Sequence, residues 1–378
     1  MDTGSLYRIA RVQMAWMFVA WVALASTPAM AASGGFNRTG SMNVARLGQT
    51  ATLLGNGEVL VAGGMNFTSG FLASSEVYNP ATGKWTLEGN LSIARFDHNA
   101  VLLNNGKVLV AGGLDPNACC GAAPLSSAEL FDPATGQWTL TGSMNDAREN
   151  FILIALQNGK VLAAGGNSYP GLSSAELYDP ASGTWSLTGS VDATPVGSAA
   201  VLLTSGQVFA VGNHELYNPT MGTWSTTTAP LPSNQGTVNF YTRLLNGQVW
   251  DGTNDELFDP SSAAWTAFGA PSCDAGNEHC GGGGALLTNG QVLVAGGTLT
   301  VEISGAPDRR IQTQTIKTSV LWNPATLGWT STGDLQVSRT GQSMTTLLNG
   351  QVLVAGGESF DKGSGRLVPI ASAELYTP

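Results

Sequence analysis

The sequence predicts an all-β fold, a closed ring of seven blades that are each a sheet of four short antiparallel strands. Three observations support this prediction. A tight turn followed by an apolar run and small residues recurs seven times along the chain. A triplet like Glu-Leu-Tyr follows each copy, and a tryptophan follows the triplet in six of the seven units. Because each unit can bury its apolar face only against its neighbours, the repeats predict one domain rather than several.

The second unit shows the pattern most clearly. Residues 95–103, which end in the apolar run Ala-Val-Leu-Leu, predict the first strand, strand a. Asn105-Gly106 predicts a two-residue type I′ turn, in which both central residues need a positive φ. Residues 107–111 predict strand b, and Gly112-Gly113 ends it where a crowded backbone would leave no room for a side chain.

The second half of the unit supplies two more strands. Residues 127–131 predict strand c, and residues 138–141, which begin with Trp138, predict strand d. Between them, residues 132–136 are Asp-Pro-Ala-Thr-Gly, a turn in which Pro presets φ and Gly takes the left-handed conformation. A unit of about 50 residues therefore predicts one four-stranded blade.

The glycines of the a–b turns define the order of the blades. They are Gly57, Gly106, Gly159, Gly206, Gly247, Gly290 and Gly350. The seventh unit reaches Pro378 before a fourth strand, whereas residues 34–41 contain a strand-d pattern with Phe36 in place of tryptophan. We therefore expect this N-terminal segment to complete the last blade, which would close the ring and cover two sheet edges.

Together, the Gly-Gly pair, the Asp-Pro turn and the strand-d tryptophan resemble the kelch repeat over residues 34–378. The phrase Ala-Glu-Leu-Tyr-Asp-Pro at residues 175–180 is similar to that of exported bacterial kelch proteins and of the propeller of galactose oxidase. The resemblance implies a seven-bladed kelch β-propeller, with the N-terminal strand in the last blade, and implies no particular reaction.

Resemblance to galactose oxidase would further imply copper, held by two tyrosines and two histidines, with a cysteine crosslinked to one tyrosine. In this sequence no histidine lies beside a tyrosine, and no cysteine lies in a matching position. We therefore expect no copper site and no other cofactor.

The composition argues against two classes of partner. The chain has 378 residues and a net charge of −10, and its 16 Lys and Arg residues form no cluster. Nucleic acids and anionic membranes bind clustered basic residues, so we expect neither as a partner.

Residues 1–31 have the pattern of an export signal. Arg8 and Arg11 precede an apolar stretch, residues 14–25, and Ala29-Met30-Ala31 suits a cleavage site. We expect cleavage there, a single propeller domain over residues 32–378, and no membrane span afterwards. The product would be a secreted, periplasmic or cell-surface monomer. An uncleaved anchor is the alternative.

Alternating strand directions divide the connections between two faces of the ring. The a–b and c–d turns share one, the turn face, and the b–c and d–a loops share the other, the loop face. The turns are short and uniform, which predicts a scaffold. The b–c loops are long at residues 114–125, 298–316 and 358–371, in blades 2, 6 and 7, and almost absent in blades 4 and 5. Since binding sites lie mostly on variable loops held by a rigid frame, we expect ligands on the loop face.

One position on the loop face is basic in several blades. Ten residues before each hairpin turn lie Arg46, Arg95, Arg148, Pro195, Gly236, His279 and Arg339. The four arginines fall on adjacent blades and, with His214 and His279, are the candidate ligand-binding residues, suited to a carboxylate, sulfate or phosphate. The alternative is structural, with each arginine bonding loop carbonyls and carboxylates. The repeated strand-c glutamate also favours a structural role, and no catalytic residue is predicted.

Four cysteines accompany the predicted export. Cys273 and Cys280 favour a disulfide in the loop between blades 5 and 6, and a metal site that includes His279 is the alternative. Cys119 and Cys120 are adjacent, which leaves both a vicinal disulfide and two thiols open.

These observations favour a module that binds a protein or a glycan through its loop face. A carbohydrate-active enzyme resembling galactose oxidase or a sugar epimerase is the alternative, and a scaffold without a small ligand is a third hypothesis. The sequence does not decide whether the protein is an enzyme.

Overall fold

The computed structural model describes residues 34–115, 123–166, 171–191, 199–211, 214–227, 240–252, 255–269, 282–303 and 310–378. Residues 32–378 form one compact unit. The predicted export signal, residues 1–31, lies outside the described residues. Within the described ranges, no helix is long and apolar enough to cross a membrane.

The fold is all-β, a ring of seven blades with four antiparallel strands each, as predicted. In chain order the strands are β1 (Gly35–Arg38), β2 (Thr50–Leu53), β3 (Val59–Ala62), β4 (Met65–Asn66), β5 (Gly70–Phe71), β6 (Ser75–Asn79), β7 (Lys84–Leu87), β8 (Asn99–Leu102), β9 (Val108–Ala111), β10 (Leu114–Asp115), β11 (Ala123–Pro124), β12 (Ala128–Asp132), β13 (Gln137–Leu140), β14 (Ile152–Ala155), β15 (Val161–Ala164), β16 (Ala175–Asp179), β17 (Thr184–Thr188), β18 (Ala200–Leu202), β19 (Val208–Ala210), β20 (Glu215–Asn218), β21 (Thr223–Thr226), β22 (Tyr241–Arg243), β23 (Val249–Asp251), β24 (Glu256–Asp259), β25 (Ala264–Ala267), β26 (Gly283–Leu286), β27 (Val292–Ala295), β28 (Thr298–Ile303), β29 (Arg310–Thr315), β30 (Ser319–Asn323), β31 (Gly328–Ser331), β32 (Ser343–Thr346), β33 (Val352–Ala355), β34 (Glu358–Asp361), β35 (Arg366–Pro369) and β36 (Ala373–Thr377). From strand a to strand d, blades 1 to 7 are β2-β3-β6-β7, β8-β9-β12-β13, β14-β15-β16-β17, β18-β19-β20-β21, β22-β23-β24-β25, β26-β27-β30-β31 and β32-β33-β36-β1.

The N-terminal strand closes the ring, as the sequence predicts. β1 pairs antiparallel with β36, and Phe36 lies opposite Tyr376. The centroids of these two rings are 5.0 Å apart, and Phe36 is only 5% exposed. Strand a of each blade contacts strand a of the next all the way round, so the last blade is joined to the first.

The core lies between the blades. Strand b is buried along its whole length in every blade, because both faces of its sheet pack against neighbouring sheets. One cluster, for example, combines Leu109 of blade 2 with Val161 and Tyr178 of blade 3. Burial of apolar area between blades therefore stabilises the ring, at roughly 25 cal/mol per Å².

Polar contacts repeat between the outer parts of adjacent blades. The Tyr178 hydroxyl lies 2.7 Å from Thr141 Oγ1 of the preceding blade, and Trp185 Nε1 donates to the Gly142 carbonyl at 2.9 Å. The same Tyr–Thr contact is made by Tyr78 with Thr39, Tyr217 with Thr188 and Tyr376 with Thr332. Each of these strand-c tyrosines therefore makes an inter-blade contact, and its hydroxyl is not free.

The a–b turns differ from the prediction, and the type I′ assignment is wrong. In blade 2, Gly106 N donates to Leu103 O at 2.9 Å, and Leu103 N donates to Lys107 O at 2.8 Å. Gly106 has φ +82°, whereas Asn105 is not among the residues with positive φ. This is a type I turn closed by a left-handed glycine, and all seven blades repeat it. Asn is favoured because its Oδ1 accepts the Lys107 amide at 3.1 Å.

Crowding at the glycine pair that ends strand b is confirmed. A Cβ atom at Gly112 would lie 2.4 Å from the Arg148 carbonyl oxygen, and one at Gly113 would lie 2.7 Å from the Phe96 carbonyl oxygen. The d–a loop thus passes directly against these glycines, which is why a side chain is excluded.

The c–d turn also needs a left-handed residue. Gly136 provides it in blade 2, with φ +67°. In blades 5 and 6 the residues Ala263 and Leu327 take the same conformation, with φ of +54° and +53°. A side chain in this region is strained by about 1–2 kcal/mol, so these two turns are local weak points.

Candidate binding face

Short hairpins extend the b–c connections of four adjacent blades. They are β28–β29 in blade 6, β34–β35 in blade 7, β4–β5 in blade 1 and β10–β11 in blade 2. Loop length pointed to blades 6, 7 and 2, and the structure adds blade 1. In blades 4 and 5 only four residues separate strand b from strand c, too few for such a hairpin. The described loop face is therefore high on one side and low on the other.

Neighbouring projections on the loop face support one another. Thr315 Oγ1, in the blade 6 hairpin, donates to Ser338 Oγ at 2.9 Å and accepts the Phe360 amide of the blade 7 hairpin at 3.0 Å. The ring of Phe71, in the blade 1 hairpin, lies 5.5 Å from that of Phe96 in the blade 2 loop. These contacts preform the high side of the face, which lowers the entropic cost of binding there.

The four candidate arginines are fully buried, each with 0% exposure. In blade 2, Arg95 Nη1 donates to the carbonyls of Gly112 and Ser127 at 2.9 and 3.1 Å. Its Nη2 donates to Ser127 Oγ and Glu129 Oε1 at 3.1 and 2.9 Å. Blades 1, 3 and 7 repeat the ion pair with Arg46–Glu76, Arg148–Glu176 and Arg339–Glu374. The geometry is that of the structural alternative, because both terminal nitrogens of each arginine are engaged inside its own blade.

The strand-c glutamates complete this network. Glu129 accepts the backbone amides of Ser92 and Ile93 at 2.7 and 3.4 Å, besides the guanidinium. The glutamates of blades 1, 3 and 7 accept two loop amides in the same way. Burial lowers the pKa of Arg95, and the charge of Glu129 opposes that shift. Each Arg–Glu pair thus holds a d–a loop against strands b and c.

Blade 5 gathers carboxylates in place of this pairing. Asp251 lies opposite Glu256 in the β23–β24 ladder. In the other six blades the strand-b residue opposite the position aligned with Glu256 is Val or Ala. Asp255 directly precedes Glu256, and Asp251, Asp255 and Glu256 are 1%, 2% and 1% exposed. Burial, and then the charges of Asp251 and Glu256, raise the pKa of Asp255 from 3.8 to about 6. Sequence reasoning missed this cluster, although Asp251 interrupts an apolar strand and was a usable signal.

The described histidines belong to different blades, His98 to blade 2 and His214 to blade 4. His98 is 4% exposed, and its Nε2 lies 3.1 Å from Thr50 Oγ1. Burial, reinforced by the charge of Arg95, lowers the pKa of His98 to about 3, so this ring is neutral and structural. His214 has φ +55°, and its ring meets that of Trp265 edge-on at 5.1 Å. Burial lowers the pKa of His214 as well.

Several sequence candidates fall outside the described residues. They are Cys119, Cys120, Pro195, Gly236, Cys273, His279 and Cys280. The disulfide and metal hypotheses for the cysteines therefore stay predictions.

Shallow clefts occur on the turn face, between neighbouring blades. Four of them have volumes of about 470, 380, 400 and 320 Å³. Their walls are a–b and c–d turn residues, such as Asn104, Gly159 and Pro180 in one cleft. Because the same turns recur in each blade, these clefts follow the repeat and distinguish no single position.

Comparisons with known proteins agree with this fold. The family model described as Kelch motif matches residues 46–92 and 96–145. The chain is similar in structure to a fungal alcohol oxidase of the AA5 family in complex with copper, with a TM-score of 0.62 and 16% identity, over 92% of this chain and 76% of that one. It is also similar to YjhT, with a TM-score of 0.52 and 15% identity, over 89% of this chain and 96% of that one. No curated protein sequence gives a significant match.

The described residues do not supply a copper site like the one galactose oxidase would imply. The strand-c tyrosines Tyr78, Tyr178, Tyr217 and Tyr376 are 0% exposed, and each has its hydroxyl bonded to a threonine. In the described ranges, no group of three or more His, Cys, Asp or Glu side chains could hold a metal ion. We therefore derive no reaction step through copper. The repeats, the closed ring and the comparisons lead to one conclusion, that the chain is a seven-bladed β-propeller with kelch motifs in its first two blades and a fold similar to that of the galactose oxidase-like AA5 enzyme.

Proposed function

We propose that this protein is an exported binding module that engages a protein or a glycan through its loop face. The observation that supports this proposal is the distribution of hairpins. Blades 6, 7, 1 and 2 extend their b–c connections, whereas the a–b turns keep one geometry in all seven blades. Variation concentrated on one face of a rigid frame is typical of a binding surface.

An exposed aromatic residue adds support on the same face. Phe67 lies between strands β4 and β5, at the tip of the blade 1 hairpin, and is 60% exposed. The tip is ordered, because the amides of Thr68 and Ser69 both donate to Asn66 Oδ1, at 3.0 and 2.6 Å. A ring held out on a fixed turn can stack on a sugar or fill a pocket of a protein partner.

The test compares the two faces of the ring. A photo-crosslinking amino acid replaces Phe67 in one variant and Leu348 in another; Leu348 lies on the turn face and is 71% exposed. Both variants are irradiated in the native extract, and the Phe67→Ala variant is compared with wild type on a glycan array. We expect adducts only from position 67, or glycan binding that Phe67→Ala weakens. Adducts only from position 348, or no binding in either assay, would refute the proposal.

The enzyme hypothesis has its own measurement. Metal analysis of the purified protein, together with an alcohol or sugar oxidation assay, tests whether this protein binds copper and oxidises such substrates. Copper bound in stoichiometric amount together with oxidase activity would replace the binding module with an enzyme.

A further inference from the structure

Apolar residues form two rows across the loop face of blades 1 and 2. Each row has three residues that lie directly opposite one another on neighbouring strands. The rows are Leu47, Met65 and Phe71 in blade 1, and Phe96, Leu114 and Pro124 in blade 2. Because directly opposite residues project to the same side of a sheet, each row forms one apolar strip.

The two rows meet in one surface, the apolar patch. The ring centroids of Phe71 and Phe96 are 5.5 Å apart, and all six side chains of the rows are half-buried. Phe67, at the tip of the blade 1 hairpin, is 60% exposed. The aligned rows of the neighbouring hairpins contain polar residues; they are Thr340, Glu358 and Pro369 in blade 7, and Thr298 and Thr315 in blade 6. A contiguous apolar surface marks a contact with another molecule, and here it is concentrated over blades 1 and 2.

The side of the patch next to blade 3 is acidic. Asp97 follows Phe96 in the chain, and its carbonyl oxygen accepts the amide of Asn150 at 3.3 Å, which brings Glu149 beside it. Burial raises the pKa of Asp97, and burial followed by the charge of Asp97 raises the pKa of Glu149. Within the described residues, no cation offsets either shift.

The loop-face connections of blades 1 to 3 contain no free cation. Apart from His98, their basic residues are Arg46, Arg95 and Arg148. All three arginines are fully buried and paired with strand-c glutamates. A cation that neutralises the two carboxylates on this face therefore comes from a ligand or from solvent.

We propose that the apolar patch, with Asp97 and Glu149 at its border, binds a protein segment in which apolar side chains lie next to lysine or arginine. This inference rests on the proposed function and deepens it, because it selects a protein ligand over a glycan. A glycan is held by hydrogen-bonding side chains, whereas all six residues of the patch are apolar. Complementary charge at the border orients the ligand and favours encounter with a basic partner. A second copy of this chain suits the patch less well, because its own patch presents the same carboxylates.

The probe is a phage-displayed library of random dodecapeptides, selected on the purified full chain. We expect the enriched peptides to combine aromatic or aliphatic residues with lysine or arginine, and to be poor in aspartate and glutamate. The affinity of an enriched peptide is then measured by fluorescence anisotropy. Failure to enrich any peptide, or enrichment of acidic peptides, would overturn the inference.

One pair of variants tests the apolar contacts. Met65→Thr with Leu114→Thr should weaken binding by about tenfold or more, because it removes two apolar side chains from the middle of the patch. Leu245→Thr with Leu348→Thr is the matched control, since it removes two exposed leucines from the turn face and should bind as wild type does. Blade 6 has threonine at both aligned positions, so the repeat accepts these substitutions. Equal affinity in the two pairs would contradict the inference.

A second pair of variants tests the charges. Asp97→Asn with Glu149→Gln should weaken binding by about fivefold and make the affinity less sensitive to salt, because it removes both carboxylates from the border. Asp132→Asn with Asp179→Asn removes the same charge from the turn face, where blades 1, 4 and 6 have asparagine, and should bind as wild type does. Because the Asp97 and Glu149 substitutions preserve side-chain shape, this pair remains informative if the threonine pair lowers the melting temperature. Unchanged affinity and salt dependence in the Asp97 and Glu149 pair would reject the basic ligand.

The same variants identify other occupants. A dimer of the full chain that Met65→Thr with Leu114→Thr dissociates in sedimentation would make a second copy the occupant, and glycan-array binding that this pair abolishes would make it a glycan. Either result would overturn the inference. The crosslinking experiment at Phe67 is independent, since adducts at position 67 without an enriched basic peptide would leave the loop face as the binding surface and reject only the basic protein segment.

Discussion

Removal of one buried arginine is the most direct test of the role that the geometry assigns to these residues. Arg95 makes four hydrogen bonds through its terminal nitrogens, to two carbonyls, one hydroxyl and Glu129. In Arg95→Ala, Glu129 keeps only its backbone donors and remains as a buried charge without a cation. Breaking a buried pair in this way costs about 3–5 kcal/mol. Since folded domains are stable by only about 5–15 kcal/mol, the variant should lose a large part of its stability.

The assay is urea unfolding followed by tryptophan fluorescence, with two comparisons. Arg243→Ala removes an exposed arginine from strand β22 and should change the free energy of unfolding by less than about 0.5 kcal/mol. The double variant Arg95→Met with Glu129→Leu removes both charges and should recover much of the loss. If Arg95→Ala unfolds as wild type does and instead loses affinity for a sulfated or phosphorylated ligand, the structural role is refuted and the ligand-binding hypothesis is restored.

Three further predictions concern stability. Phe36→Ala should lower the free energy of unfolding by about 3–5 kcal/mol because the ring is buried against Tyr376, whereas Phe36→Trp, the residue of the other blades, should lower it much less; equal effects would contradict closure by packing. Leu327→Gly should raise the free energy of unfolding by about 1 kcal/mol, because it removes a side chain from a residue in the left-handed conformation. A lower free energy of unfolding in urea would count against this strain. The raised pKa of Asp255 means that the protonated carboxyl favours the folded state. This contribution to stability is complete below about pH 4 and is lost as pH rises through about 6. Asp255→Asn should therefore melt higher than wild type at pH 8 and similarly at pH 4, and the opposite order would show that burial and the charges of Asp251 and Glu256 do not destabilise the Asp255 carboxylate.

Much of the fold could be predicted because its information is local and periodic. A turn signal, an apolar run and an aromatic triplet each specify a short stretch, and their sevenfold recurrence determines the number of blades. The same periodicity identified Phe36 as the missing strand-d residue, far along the chain from Tyr376. The type of the a–b turn was harder to predict, because Asn-Gly is compatible with both a type I′ turn and a type I turn closed by glycine.

The candidate site was harder to predict because it depends on which side chains meet. Arg95 and Glu129 are 34 residues apart in the chain, and nothing in either segment alone shows that the two side chains form an ion pair. The blade 1 hairpin was missed because the loop is short, and the carboxylates of blade 5 were missed because strand c was considered without its cross-strand partner.

The sequence by itself determined the class of fold, the number of blades, the closing strand and the positions that must be glycine, because these follow from repeated local patterns and from chain connectivity. Only the tertiary structure decided that the arginines are internal counter-ions, that hairpins rise over blades 6, 7, 1 and 2, and that blade 5 buries carboxylates beside one another. The physical reason is that burial and charge pairing are properties of contacts between distant segments, which a residue pattern suggests but does not specify.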